Sequence, residues 1–169
     1  MTEVKENSLI AELRNIAQLL GKGKQAEFYH QMLKDAKPIK VVRLSEVFTE
    51  TQIAAIKKCI KPKAKECFRN ATLLAQNFPD VKYVEGRMTV CGALGIEHAW
   101  NKIGDKYVDI TMELVLERDP TKEEYITLGE YDRETVWSIC IESGWYGNIY
   151  PTLYGQKIKE GKCRRNTQV

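Results

Sequence analysis

Cys67, His98 and Asp109 are the residues whose types and placement could do covalent chemistry in this chain. Acyl transfer through sulfur needs a thiolate, an imidazole beside it to move protons, and an acceptor that fixes the imidazole. Cys67 follows a helix break at Pro62 and lies in the first turn of the next helical pattern, from Ala64 to Gln76. Free backbone N–H groups there favour a thiolate and can also hold an oxyanion. Of the two histidines, His30 falls in a helical pattern near the N-terminus and reads as a surface or packing residue, which leaves His98.

The elements that must position these groups are legible from periodicity. Gly104-Asp105 is a two-residue hairpin signal between a strand over 96–103 and another over 106–111. Pairing Ile103 with Lys106 sets Trp100 opposite Asp109 and His98 opposite Thr111, so His98 and Asp109 are diagonal neighbours on one face. Upstream, Val81 to Cys91 alternates with β-rich composition and reads as a strand interrupted at Gly86, and a further strand is expected over 125–129. An antiparallel sheet therefore forms the centre of the expected fold.

Helices are expected on either side of it. Leu9, Leu13, Ile16 and Leu20 recur at helical spacing after Ser8 as N-cap, and Phe28, Met32 and Leu33 mark a second helix that Pro38 stops. Thr49 and Gln52 have capping-box spacing ahead of Ile53, Ile56 and Ile60. Asp132 to Ser143 has helix-compatible spacing closed by Gly144, and the aromatic stretch from Trp145 to Pro151 reads as a loop.

Four segments together carry a family resemblance. Cys67-Phe68-Arg69-Asn70-Ala71 opens a helix, and Tyr83-Val84-Glu85-Gly86, His98-Ala99-Trp100-Asn101 and Tyr107-Val108-Asp109-Ile110-Thr111 follow in that order. The run resembles the core of the transglutaminase-like and papain-like cysteine hydrolases over roughly residues 64 to 112. The resemblance implies an α+β fold with a papain-like core, in which N-terminal helices and a Cys-bearing helix pack on an antiparallel sheet. It also implies Cys67 as nucleophile, His98 as general acid/base and Asp109 as the orienting acid. Asn70 is expected to touch substrate or support the site, and Tyr83, Trp100 and the Trp145-Tyr146 loop to line a cleft wall. The chain departs from the family pattern at Glu66, where a small residue is usual, at Phe68, where Trp is usual, and in having no Gln a few residues before Cys67 as oxyanion donor.

The expected activity is thiol-dependent hydrolysis of an amide bond in a peptide, protein or other substrate, or acyl transfer through the same thioester, with no cofactor. The departures support a second reading: a papain-like binding or regulatory module without turnover, of the kind a small phage or accessory bacterial protein would provide. A zinc site from Cys67, Cys91 and His98 lacks any close Cys-x-x-Cys or His-x-x-x-His pair, so no metal is expected.

Composition bounds the rest. The 169 residues, 43% hydrophobic and 29% charged, suit one globular domain over 1–156, with residues 1–48 as an N-terminal helical part. The 26 basic and 23 acidic side chains leave a net charge of +3, too near balance for a dedicated nucleic-acid or membrane surface. A basic tail over 157–169 is expected as a solvated end; its use on nucleic acid would be a third reading. Five cysteines without framework spacing, and no N-terminal signal pattern, give a cytoplasmic expectation. The sequence carries no signal for oligomeric state.

Overall fold

A computed structural model describes residues 6–166, with side chains described as far as Glu160. Residues 167–169 of the expected tail, and the side chains of Lys162, Arg164 and Arg165, lie outside that description.

The architecture is α+β. Helices α1 (Ser8–Leu20) and α2 (Lys24–Asp35) form an N-terminal hairpin, followed by strand β1 (Lys37–Ile39), a 3₁₀ turn, α3 (Glu50–Ile60) and α4 (Cys67–Asn77). Strands β2 (Val81–Val90), β3 (Leu94–Ile103) and β4 (Lys106–Val108) come next, then α5 (Ile110–Leu114), a second 3₁₀ turn, β5 (Tyr125–Tyr131), α6 (Arg133–Ser143) and α7 (Ile149–Asn166). The sheet order is β1-β5-β2-β3-β4, and every neighbouring pair is antiparallel.

Side-chain alternation divides the core. Tyr83 and Val81 of β2 join Ala99, Leu74, Ala75, Ile56, Ile60, Val136 and Ile139 in the cluster under α3, α4 and α6. Val84 and Met88, of opposite parity, join Trp100, Tyr125 and Met112 in another. The α1–α2 hairpin seals a third cluster by laying Leu9, Leu13 and Met32 against Ile126 and Leu128 of β5.

Local chemistry moves several expected boundaries. The strand expected to reach Thr111 stops at Val108, because Asp109 caps α5: its Oδ1 accepts the Thr111 and Met112 N–H groups at 3.0 Å each. β2 runs unbroken past Gly86 against β3, and the irregularity expected there is a register shift against β5. Asn7 rather than Ser8 caps α1, with its side chain accepting from the Leu9 and Ile10 N–H groups. The aromatic stretch is a loop only as far as Asn148. Pro151 then sits in the first turn of α7, where a missing N–H costs nothing, and Lys157, an exposed residue of the expected tail, lies within that helix. The Thr49–Gln52 capping box and the Gly144 terminator of α6, in the left-handed conformation, occur where the sequence indicates them, and Asp132 caps α6 from just outside it.

Candidate active site

Cys67 is the first residue of α4, and the first α-helical backbone bond there runs from Asn70 N–H to the Glu66 carbonyl. The N–H groups of Cys67, Phe68 and Arg69 precede that bond, and the Glu66 side chain makes no cap to them. The helix end beside the thiol is thus electropositive, with three backbone N–H groups that have no acceptor among the described residues. Glu66 itself is turned to cations: its carboxylate lies 3.5 Å from Arg69 Nε and 3.9 Å from Lys63 Nζ.

The approach to Cys67 is held from behind by Asn70. Its fully buried amide accepts from Lys63 N–H at 3.0 Å and donates to the Lys63 carbonyl at 2.8 Å. It also donates to Thr111 Oγ1 at 3.0 Å, which ties the segment before Cys67 to the helix that Asp109 caps. Asn70 is therefore a positioning residue, sealed away from substrate.

His98 lies on β3 and Asp109 just past β4. The hairpin has the register that Gly104-Asp105 implies, with Ile103 opposite Lys106 and Asn101 opposite Val108. The diagonal pair meets: His98 Nε2 and Asp109 Oδ2 are 2.7 Å apart, with Asp109 wholly buried and His98 4% exposed. Tyr125 of β5 donates its hydroxyl to the same Oδ2 at 3.0 Å. Since Oδ1 receives the two backbone donors of α5, the carboxylate is held by two N–H groups, one hydroxyl and one imidazole.

Burial pulls the His98 imidazolium downward, but the Asp109 charge and hydrogen bond more than offset it. Cys67 acts in the same upward direction, and the pKa rises to about 10. Cys67 thus lies near enough to the ring to act on its charge, and no hydrogen bond joins the two among the described residues. With Nε2 committed to Asp109, Nδ1 is the nitrogen left for exchange with sulfur. Cys67 is half-buried, whereas Cys59 and Cys91 are exposed and Cys140 is buried with its thiol pushed up by burial.

Tyr83 and Trp100 are fully buried and back the site rather than line an opening, because both rings are absorbed by the core. Trp100 stacks beside His98, with centroids 6.2 Å apart, and meets Tyr125 edge-on at 5.1 Å. Tyr83 donates its hydroxyl to Glu85 Oε2 at 2.7 Å, and the same oxygen accepts Ile149 N–H at 3.1 Å, which pins the start of α7 to the sheet. Burial raises the Glu85 carboxyl, and those hydrogen bonds partly offset it. Trp145 and Tyr146 are exposed, and the adjoining Gly147 packs so closely on Phe68 that a Cβ there would lie 2.6 Å from the Phe68 ring.

Two supporting residues were not among the expected site residues. Tyr125 reads in sequence only as the start of a strand, and its role depends on β5 inserting between β1 and β2. Gly86 has negative φ but no room for a side chain: an added Cβ would lie 2.0 Å from the Ile126 carbonyl oxygen and 2.8 Å from the Trp100 ring. Its bareness lets β5 and Trp100 close over one another.

Cys91, weighed as a metal ligand, lies in the β2–β3 turn, with its sulfur 3.6 Å from Arg118 Nη1. Among the described residues, no cluster of three or more His, Cys, Asp or Glu is placed to hold a metal ion, and no helix is long and apolar enough to cross a membrane. In comparisons with known proteins, no family model, curated protein or solved structure matches the chain.

Proposed function

We propose that this protein is a cysteine-dependent acyl-transfer enzyme with a papain-like (transglutaminase-like) core, acting on an amide bond through a Cys67–His98–Asp109 triad. The observation that carries the reading is the buried His98–Asp109 pair, closed at 2.7 Å, with the Cys67 thiol at the start of α4 near enough to act on the charge of the imidazole. A purely structural cysteine needs neither a buried imidazolium nor an uncapped helix end beside it.

Each group has a defined task. His98, protonated at neutral pH, is the counter-ion for a Cys67 thiolate. Sulfur attacks the carbonyl carbon, and the electron pair displaced onto oxygen is stabilised by N–H groups of the first turn of α4. That turn supplies an oxyanion site from backbone alone, which suits a chain with no Gln shortly before the cysteine. The tetrahedral intermediate collapses as the C–N bond breaks, and His98 gives its proton to the departing amine, leaving a thioester on Cys67. Water, or a second amine, then attacks the thioester while His98 takes up its proton, releasing an acid or a new amide and restoring the thiolate–imidazolium pair. Asp109 holds the ring and its charge throughout. The salt bridges of Glu66 to Lys63 and Arg69 meet the objection that a carboxylate beside the nucleophile would oppose its anion.

The test is site-resolved iodoacetamide labelling across pH, followed by incubation with p-nitrophenyl acetate and intact-mass analysis. Cys67 is expected to label faster near neutral pH than the more exposed Cys59 and Cys91, to lose that advantage in His98→Gln, and to carry the acetyl adduct. An accessible Cys67 that labels like an ordinary thiol in both proteins would refute the enzyme reading and favour the binding-module alternative.

A further inference from the structure

Away from the triad, a cleft of about 1450 Å³ lies between α2, the outer edge of β5 and α7. Its walls carry Lys24 and Lys34 from α2, Lys37 from β1, and Lys157 and Lys159 from α7, all exposed. None of the five is in an ion pair among the described residues. Three acids share the cleft, and two are occupied. Asp35 accepts from the Tyr150 hydroxyl and Gln31, and Glu130 is paired with Lys102 and receives the Tyr107 hydroxyl. Asp35 and Glu27 keep their charge against the five lysines, so the cleft still presents an excess of positive charge.

Its floor has a second property. β1 pairs with β5 only from Tyr125 to Thr127, whereas β2 continues along the other side of β5 as far as Tyr131. The chain turns away from the sheet at Ala36, where α2 ends, so among the described residues no strand covers the outer edge of β5 from Leu128 to Tyr131. That uncovered edge lines the cleft. Unpaired strand-edge groups inside a basic cleft select for an extended polypeptide with acidic side chains: the edge recognises backbone and the lysines recognise charge.

We infer that the cleft between α2, β5 and α7 is a docking site for an extended acidic peptide segment of a partner protein, which adds to β5 at Leu128–Tyr131 as a further strand. Four residues of edge accommodate about 13 Å of strand at ~3.3 Å per residue, a short linear motif rather than a domain. Lysines on both walls meet acidic side chains on either side of the bound strand. The inference stands apart from the triad, since no cleft residue belongs to it.

The experiment uses a fluorescein-labelled peptide of alternating Glu and Val, read by fluorescence anisotropy on the whole protein. An equal-charge peptide N-methylated at alternate residues, and a single-stranded oligonucleotide, serve as comparisons. Saturable binding is expected, weakened ~10-fold or more by N-methylation and by the combined exchange Lys34→Glu and Lys157→Glu, with amide shifts confined near Leu128–Tyr131 in NMR spectra. Both lysines are exposed, so the variant keeps its fold, which its circular dichroism checks. Equal binding of the N-methylated peptide or the oligonucleotide would reduce the cleft to a diffuse polyanion surface and overturn the proposal, as would no saturable binding at low salt.

Discussion

The Tyr125 hydroxyl donates to Asp109 Oδ2 at 3.0 Å, on the oxygen that also holds His98. Tyr125→Phe removes one donor from a fully buried carboxylate and should cost about 1.5–3 kcal/mol in chemical denaturation, the range for hydrogen bonds to charged groups. Relieved of that donor, the carboxylate acts more fully on the imidazole. The NMR titration midpoint of His98 should therefore hold or rise, and a clear fall would contradict this account of the shared oxygen.

Stability should depend on pH through His98. Its pKa in the folded protein, raised to about 10 from an ordinary 6.5, means that the folded state keeps a proton the unfolded chain has released. The stabilisation is fully present below pH 6.5 and is lost as pH rises towards 10. Denaturation midpoints of the wild type should accordingly fall across that window relative to His98→Gln. Parallel curves for the two proteins would show that the imidazole titrates alike folded and unfolded.

Asp109 has two tasks that two substitutions separate. Asp109→Asn retains an oxygen to accept the Thr111 and Met112 N–H groups but removes the charge that sustains the imidazolium. It should fold, with Cys67 labelling reduced to the rate of an ordinary half-buried thiol. Asp109→Ala loses the charge and also the cap on the Thr111 and Met112 N–H groups, at a further cost of about 1–2 kcal/mol. If Asp109→Asn left labelling unchanged, the acid would serve the fold alone.

Gly86→Ala tests how tightly the wall behind His98 is built. The added methyl meets the Ile126 backbone oxygen, which cannot swing aside as a side chain would, and the Trp100 ring as well. A loss of about 2–3 kcal/mol is expected from overpacking, with altered Trp near-UV circular dichroism. Unchanged stability would mean that β2 and β5 are less closely apposed than described.

The His98–Asp109 contact was legible because one short turn fixes a whole register: Gly104-Asp105 pairs Ile103 with Lys106, and the diagonal follows. Cys67 was legible because Pro62 separates two helical patterns and Cys67 stands near the start of the second, although α4 begins at Cys67 itself, three residues after the Ala64 that periodicity marks. Ile110 and Thr111 misled, since their β propensity suggested a continuing strand while the Asp109 carboxylate was already capping a helix. Tyr125 could not be found from local pattern. Its contact with Asp109 depends on which strands become neighbours, and β5 enters between β1 and β2 from well beyond the hairpin. Asn70 was marked as a neighbour of the site, but its hold on Lys63 and Thr111 depends on a chain path that periodicity does not describe.

That hold has a dynamic consequence. One buried amide bonds the backbone before Cys67 and the first turn after Asp109, so neither segment can open while Asn70 keeps both partners. The Lys63 amide hydrogen, bound by Asn70, and the Thr111 and Met112 amide hydrogens, bound by Asp109, should exchange with solvent deuterium as one cooperative unit. In Asn70→Ala the two sets should part, the first exchanging by local fraying and the second only when the sheet gives way.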